Sequence, residues 1–161
     1  PYMGHDSIRP FQERYPDNGY YVLTRTSNTS ASEFQEICID NIPLYIHVAK
    51  KIIDWYTPGI GSVVGATYPD QLSRIATLFN NSNKEIPLLI PGIGAQGGDL
   101  HEVVQILKLS NDIRIHRINS SSSINFAYKK NPDLHFSDAA VKALHDLNNE
   151  INQILSSVGG K

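Results

Sequence analysis

The chain has 161 residues, enough for one domain with a real core but not for two of ordinary size, and 40% hydrophobic with 19% charged content describes a soluble globular protein. Lys+Arg of 14 against Asp+Glu of 16 leaves a net charge of -2 with no basic stripe, which argues against a nucleic-acid partner. The longest apolar runs fall far short of the roughly 18 residues of a membrane span, and one cysteine, Cys38, allows no internal disulfide, so a reducing, cytoplasmic setting is expected.

Pro1-Tyr2-Met3-Gly4-His5-Asp6 shows neither a signal-peptide pattern nor an initiator methionine. It reads as the exit of a strand, in a chain that is processed or lacks an upstream part. Residues 7–15 then suit a short helix, with Ser7 as N-cap and Pro10 in its first turn, stopped by Pro16-Asp17-Asn18-Gly19. The β-branched and aromatic run 20–25 is a strand, and Thr26-Ser27-Asn28 lie at its C-terminal end, where α/β folds keep their ligands. Apolar residues at helical spacing predict a helix over 39–56, ended by Pro58-Gly59. Cys38, flanked by Ile37 and Ile39, is expected to be a packed small residue.

A second strand is expected over 61–67, and Tyr68-Pro69-Asp70 opens a helix with Leu72, Ile75 and Leu78 on one face. Pro87-Leu88-Leu89-Ile90-Pro91 is a short buried strand. Behind it, Gly92-Ile93-Gly94-Ala95-Gln96-Gly97-Gly98-Asp99 leads into a helix over 100–109 with Val103, Val104 and Leu107 inward. Such a loop can turn backbone N–H groups toward an anion at a helix N-terminus, although glycine-rich strand-to-helix loops also occur as plain connections. The alternation in 112–118 predicts a fourth strand followed by a polar loop, Asn119 to Ser123. A last helix is expected from an N-cap at Ser137, with Val141, Leu144, Leu147, Ile151 and Ile154 inward and Gly159-Gly160 fraying.

Four strands alternating with four helices imply a parallel sheet with right-handed crossovers in a single domain, 1–161. Four units do not close a (β/α)8 barrel, which takes eight and about 250 residues, so the chain is either a small open α/β sheet or half of a barrel. Six histidines show no HxxH or HExxH spacing, and no Gly-x-Ser-x-Gly elbow surrounds Ser27 or Ser121. Neither a metal site nor a serine nucleophile is therefore expected.

Pro1-Tyr2-Met3-Gly4 with Asp6-Ser7, Thr26-Ser27-Asn28 with Gln35 nearby, Val63-Val64-Gly65-Ala66-Thr67, the loop 91–99 and Ile118-Asn119-Ser120-Ser121 come in the order of the signatures of the orotidine 5′-phosphate decarboxylase family. The chain resembles the C-terminal half of that family, in the bacterial or protozoan type with the Gly-Ile-Gly-Ala-Gln-Gly-Gly-Asp loop. The resemblance implies a TIM barrel of which this chain supplies roughly strands 5 to 8 with their helices. It also implies a cofactor-independent and metal-free lyase of pyrimidine biosynthesis, usually a homodimer, that converts orotidine monophosphate to uridine monophosphate and carbon dioxide. By position, Ser27 with Thr26 and Asn28 beside it should face the pyrimidine edge, and Pro91 should lie against the base. Gln96, with Gly94 and Gly97, should reach the phosphate, which the 119–123 loop, including Ser121 and Ser122, should share.

Two departures bear on that picture. The family's arginine after the eighth strand is Ser122 here, which exchanges a bidentate cation for a neutral hydroxyl, and the proline after Thr-Ser-Asn is Thr29. Moreover, the family's catalytic lysines and aspartates lie on its second and third strands, and Lys50-Lys51 and Lys129-Lys130 do not reproduce their spacing. No catalytic residue is thus expected in this chain, which alone should not decarboxylate and should pair with the missing N-terminal half of the barrel or with another copy. A non-catalytic half-barrel that binds a nucleotide or phosphate, and a different phosphate-binding α/β enzyme, are the alternatives.

Overall fold

In the computed structural model, which describes residues 1–94 and 97–157, the chain opens with a 3-10 turn and a short helix, α1 (Arg9–Arg14), carrying Pro10 near its start. Ser7 does not cap it: its hydroxyl donates to the Gly4 carbonyl at 2.8 Å, and Ile8 precedes the helix. Strand β1 (Tyr20–Arg25) follows the 16–19 turn.

The helix expected over 39–56 is shorter. A short helix, α2 (Ser32–Gln35), comes first, and then a two-strand hairpin, β2 (Cys38–Ile39) with β3 (Ile42–Pro43), precedes α3 (Leu44–Asp54). Asp40 and Asn41 take φ of 52° and 60°, the left-handed conformation a two-residue hairpin turn requires and short polar side chains tolerate. Pro43 then stops the hairpin and stands as the helix cap residue. Cys38 is exposed in this hairpin and is not a packed core residue.

Next come β4 (Ile60–Val64), α4 (Pro69–Asn81), β5 (Leu88–Pro91) and α5 (Leu100–Leu107). The expected strand over 112–118 begins late. The Asp112 carboxylate accepts the Arg114 backbone N–H at 2.9 Å and its guanidinium at 2.8 Å, which winds Ile113–Ile115 into a 3-10 turn, and β6 is only Arg117–Asn119. That pairing also holds the Asp112 carboxyl down at about 2. The polar stretch behind β6 is helical, α6 (Ser121–Asn125), and the last helix, α7 (Phe136–Ser156), starts behind His135, with Ser137 inside its first turn. Along α7, Ala139 and Ile154 are buried, whereas Val141 and Leu144 are exposed, contrary to the inward face expected of them.

All three pairings of the four-stranded sheet are parallel and follow chain order, β1-β4-β5-β6. Alternation along each strand gives the sheet two unlike faces. Val22, Ile60, Ser62, Val64, Leu88 and Ile90 are buried in the core built with Tyr45, Ala49 and Ile52 of α3, Leu72, Ile75 and Phe79 of α4, and Val103, Val104 and Leu107 of α5. Ser62 is admitted there because its hydroxyl bonds that of Thr24 at 2.6 Å, which satisfies both.

The opposite face is apolar and uncovered. Leu23, Val63 and Leu89 stand in register across three strands, with Tyr21 and Pro91 alternating beside them. Tyr21 and Leu23 are 42% and 47% exposed, although each is of a kind usually buried in a parallel sheet. An apolar cavity of about 650 Å³ opens beside β1, lined by Leu23, Phe34, Tyr45, Val48 and Trp55 among others.

Candidate functional site

The C-terminal ends of the four parallel strands form one rim, and adjacent loops touch along it wherever a side chain is missing. Behind β1 and β4, the Ser27 hydroxyl lies so close to Gly65 that a Cβ there would come within 2.1 Å of it. Behind β4 and β5, Gly98 meets Ala66, where a Cβ would lie 2.5 Å from the Ala66 methyl. Behind β5 and β6, a Cβ on Gly94 would lie 3.3 Å from the Ser123 hydroxyl, and the Ser120 hydroxyl donates to the Ile93 carbonyl at 3.2 Å. Small residues thus bring Thr26-Ser27-Asn28, Gly65-Ala66, Gly92 to Gly94, Gly97 to Asp99 and Ser120 to Ser123 into one continuous surface.

Within that surface the site residues expected from the sequence differ in what they have free. Thr26 is fully engaged: its N–H donates to Gln35 Oε1 at 2.9 Å, its hydroxyl accepts from Gln35 Nε2 at 2.8 Å and donates to Asn28 Oδ1 at 2.6 Å, and its carbonyl accepts from Arg25 Nη1 at 2.7 Å. Ser27 is the opposite case, since its Oγ is buried and has no hydrogen-bond partner. A buried hydroxyl without a partner costs about 1–3 kcal/mol, and a polar group brought to the rim removes that cost. Pro91, half-buried, lies on the uncovered sheet face in register with Asn119, and its carbonyl accepts the Ala66 N–H at 2.9 Å.

The glycine loop is folded on itself. Gly97 N–H donates to the Gly94 carbonyl at 2.9 Å, Gly98 N–H to Gly92 at 3.1 Å, and Gly94 N–H to Gly98 at 3.3 Å. Gly94 and Gly97 hold φ of 76° and 81°, so the turn needs glycine at both. Gln96 lies outside the described residues. The first turn of α5 is occupied too: the Asp99 carboxylate accepts the Glu102 N–H at 3.1 Å, and two acidic residues there disfavour a further anion. Among the described residues of the loop, the Gly94, Gly97 and Gly98 N–H groups are thus engaged within the chain. Behind β6, by contrast, the first turn of α6 carries no acidic residue and presents Ser121, Ser122 and Ser123. Ser121 donates to Asn119 Oδ1 at 3.1 Å, and Ser122 is exposed.

Neither Arg114, in the turn before β6, nor Arg117, at its start, reaches this end. Arg114 pairs with Asp112, and Arg117 donates to the carbonyls of Arg114 and His116 at 2.8 and 2.9 Å, at the N-terminal end of the strand and away from the rim. Lys51 pairs with Asp54 at 3.1 Å, and Lys129 sits over the Phe126 ring. Among the described residues, no group of three or more His, Cys, Asp and Glu is placed to hold a metal ion. Arg25 had no sequence signal beyond a charge at the end of an apolar run, yet it is 1% exposed directly behind this site.

No family model matches the chain. It is 42% identical over 158 residues to the orotidine 5′-phosphate decarboxylase of Janthinobacterium sp., covering 97% of this chain and 55% of that protein, and 39% identical over 155 residues to that of Ralstonia pickettii, covering 95% and 54%. Its fold matches the OMP decarboxylase of Leishmania donovani with a TM-score of 0.73 at 33% identity, over 96% of this chain and 54% of that one. No helix among the described residues is long and apolar enough to cross a membrane. The chain spans about half the length of the curated relatives it matches, and over nearly all of its own length it is homologous to orotidine 5′-phosphate decarboxylases.

Proposed function

We propose that this chain is the C-terminal half of an orotidine 5′-phosphate decarboxylase barrel, strands 5 to 8 with their helices. Its rim then holds the pyrimidine and phosphate ends of orotidine monophosphate while the missing half supplies the lysine and aspartates that drive loss of carbon dioxide. The observation that carries the reading is the Ser27 hydroxyl, buried at the rim without a partner in a chain homologous to these enzymes. A pyrimidine edge, with its carbonyl and N–H groups, satisfies such a hydroxyl. Pro91 offers the ring an apolar platform on the same side of the sheet. Gln96, Gly94, Gly97 and the Ser121 to Ser123 turn are assigned to the phosphate side, with Thr26 and Asn28 shaping the Ser27 loop.

The uncovered face supports the half-barrel assignment. A row of Leu23, Val63 and Leu89 left half-open, with free strand edges at β1 and β6, is what a barrel wall looks like without the opposite wall. The working enzyme is proposed to be a cytoplasmic homodimer of complete barrels without metal or organic cofactor. Intact mass of the natural protein, together with a decarboxylation assay, tests the reading. A polypeptide near twice this length that converts orotidine monophosphate to uridine monophosphate, with Ser27→Ala raising KM, supports it. Turnover by the purified 161-residue chain alone overturns the assignment of the chemistry to the missing half.

A further inference from the structure

Arg25 stands out because almost nothing of it reaches solvent while each nitrogen of its guanidinium has a partner. Nε donates to Gln71 Oε1, Nη1 to the Thr26 carbonyl at 2.7 Å and to Gln35 Oε1 at 3.2 Å, and Nη2 to Glu36 Oε1 at 2.7 Å. The Tyr68 ring lies under the group, 4.6 Å from ring centre to guanidinium carbon. Gln71 Nε2 closes the ring of contacts on Glu36 Oε1 at 3.0 Å. One planar cation thereby joins β1, the α2 end and α4, a geometry that needs the fixed fork of arginine.

That cluster ends on Thr26. Gln35 Oε1, held by Arg25, also accepts the Thr26 N–H, and the other end of the same amide donates to the Thr26 hydroxyl. The N–H, carbonyl and hydroxyl of Thr26 are thus fixed from one side, which sets the peptide plane leading into Ser27 and aims the Ser27 hydroxyl at the gap beside Gly65. We propose that Arg25, acting through Gln35, is a positioning residue for Ser27: it places the hydroxyl that meets the substrate and makes no contact with the substrate itself. The inference rests on the assignment of Ser27 to the pyrimidine given above.

The test separates this role from a plain structural tie. In the full-length protein, Gln35→Met removes the amide that brackets Thr26 but leaves Arg25 its contacts with Glu36, Gln71, Tyr68 and the Thr26 carbonyl. KM for orotidine monophosphate and the inhibition constant of uridine monophosphate should rise tenfold or more, kcat should change less than threefold, and the melting temperature should stay within about 2 °C. Arg25→Lys should show the same split with a larger loss of thermal stability; if it does not fold, Gln35→Met carries the test. Constants within twofold of the parent in Gln35→Met, while Ser27→Ala raises KM, overturn the positioning role alone. If Ser27→Ala also leaves KM and the inhibition constant unchanged, the substrate assignment of Ser27 fails, and the positioning role falls with it.

Discussion

His116 makes stability depend on pH in a direction that can be worked out from its surroundings. It stands just before β6, and its Nδ1 accepts the Leu88 backbone N–H of β5 at 3.1 Å, while Nε2 is buried with no partner. Accepting at Nδ1 requires the neutral ring. Burial disfavours the charged form and outweighs the opposing pull of Asp112, with a smaller push in the same direction as burial from Arg117, so the pKa is pushed down to about 4 from 6.5. The unfolded chain binds the proton at higher pH than the folded one. The stabilisation is therefore complete above about pH 6.5 and is lost as pH falls toward 4. A move from 6.5 to about 4 is worth about 3 kcal/mol in full, of which about 2 kcal/mol would already be gone at pH 5; the ring is half-buried, and solvent screening reduces the loss at pH 5 to about 1 kcal/mol. His116→Asn keeps an acceptor near the Nδ1 position and removes the titration. Urea unfolding of parent and variant at pH 5, 6, 7 and 8 isolates the histidine, because every other titrating group is common to both. The free-energy gap between the two should shift by about 1 kcal/mol from pH 8 to pH 5, in disfavour of the parent at acid pH. Parallel curves would refute the reasoning.

Other perturbations test the rim and its supports. Gly65→Ala places a methyl within 2.1 Å of the Ser27 hydroxyl and 2.9 Å of its nitrogen, so it should push the Ser27 loop out, weaken uridine monophosphate binding tenfold or more in a calorimetric titration of the full-length protein, and cost about 1–3 kcal/mol of stability. Asp99→Ala removes the acceptor of the Glu102 N–H and should destabilise by about 1 kcal/mol in thermal melts, with Asp99→Asn retaining most of it. Leu23→Ala reports on whether the proposed opposite wall covers this face: it should cost well under 1 kcal/mol in the 161-residue chain, where Leu23 is 47% exposed, but about 2–5 kcal/mol in a complete barrel that buries it. Equal losses in both would show that the face is not covered by the rest of the protein.

The order of strands and helices was legible because β1, β4 and β5 are short, mostly apolar runs with their own stops, such as Pro58-Gly59 before β4 or Pro91-Gly92 after β5. Chain order then equals sheet order. What misled was local polar chemistry overriding a pattern. The alternation in 112–118 has strand period, yet the Asp112 carboxylate takes the Arg114 N–H and turns three of those residues into a 3-10 segment. Asp40-Asn41 forms a hairpin turn in front of α3, inside a run whose apolar spacing extends smoothly from the helix behind it.

At the site, residue type and position along a strand located the rim but not which hydroxyl on it is free. Thr26 and Ser27 are adjacent, similar in chemistry and equally placed at the end of β1, and nothing in their order separates them. The difference arises from residues 8 to 45 positions further on. Gln35 reaches back to take both polar ends of Thr26, and Gln71 and Tyr68 bury the arginine that holds Gln35, while the neighbour across the sheet from Ser27 is a glycine, with no side chain to bond its hydroxyl. The same logic applies to the turns further along the rim. The Gly94, Gly97 and Gly98 N–H groups are bonded within the loop and Asp99 accepts at the first turn of α5, whereas the first turn of α6, behind the three-residue β6, carries no acidic residue. A motif marks where a ligand can approach; the internal hydrogen bonds of the folded loop decide which of its atoms are still available when it does.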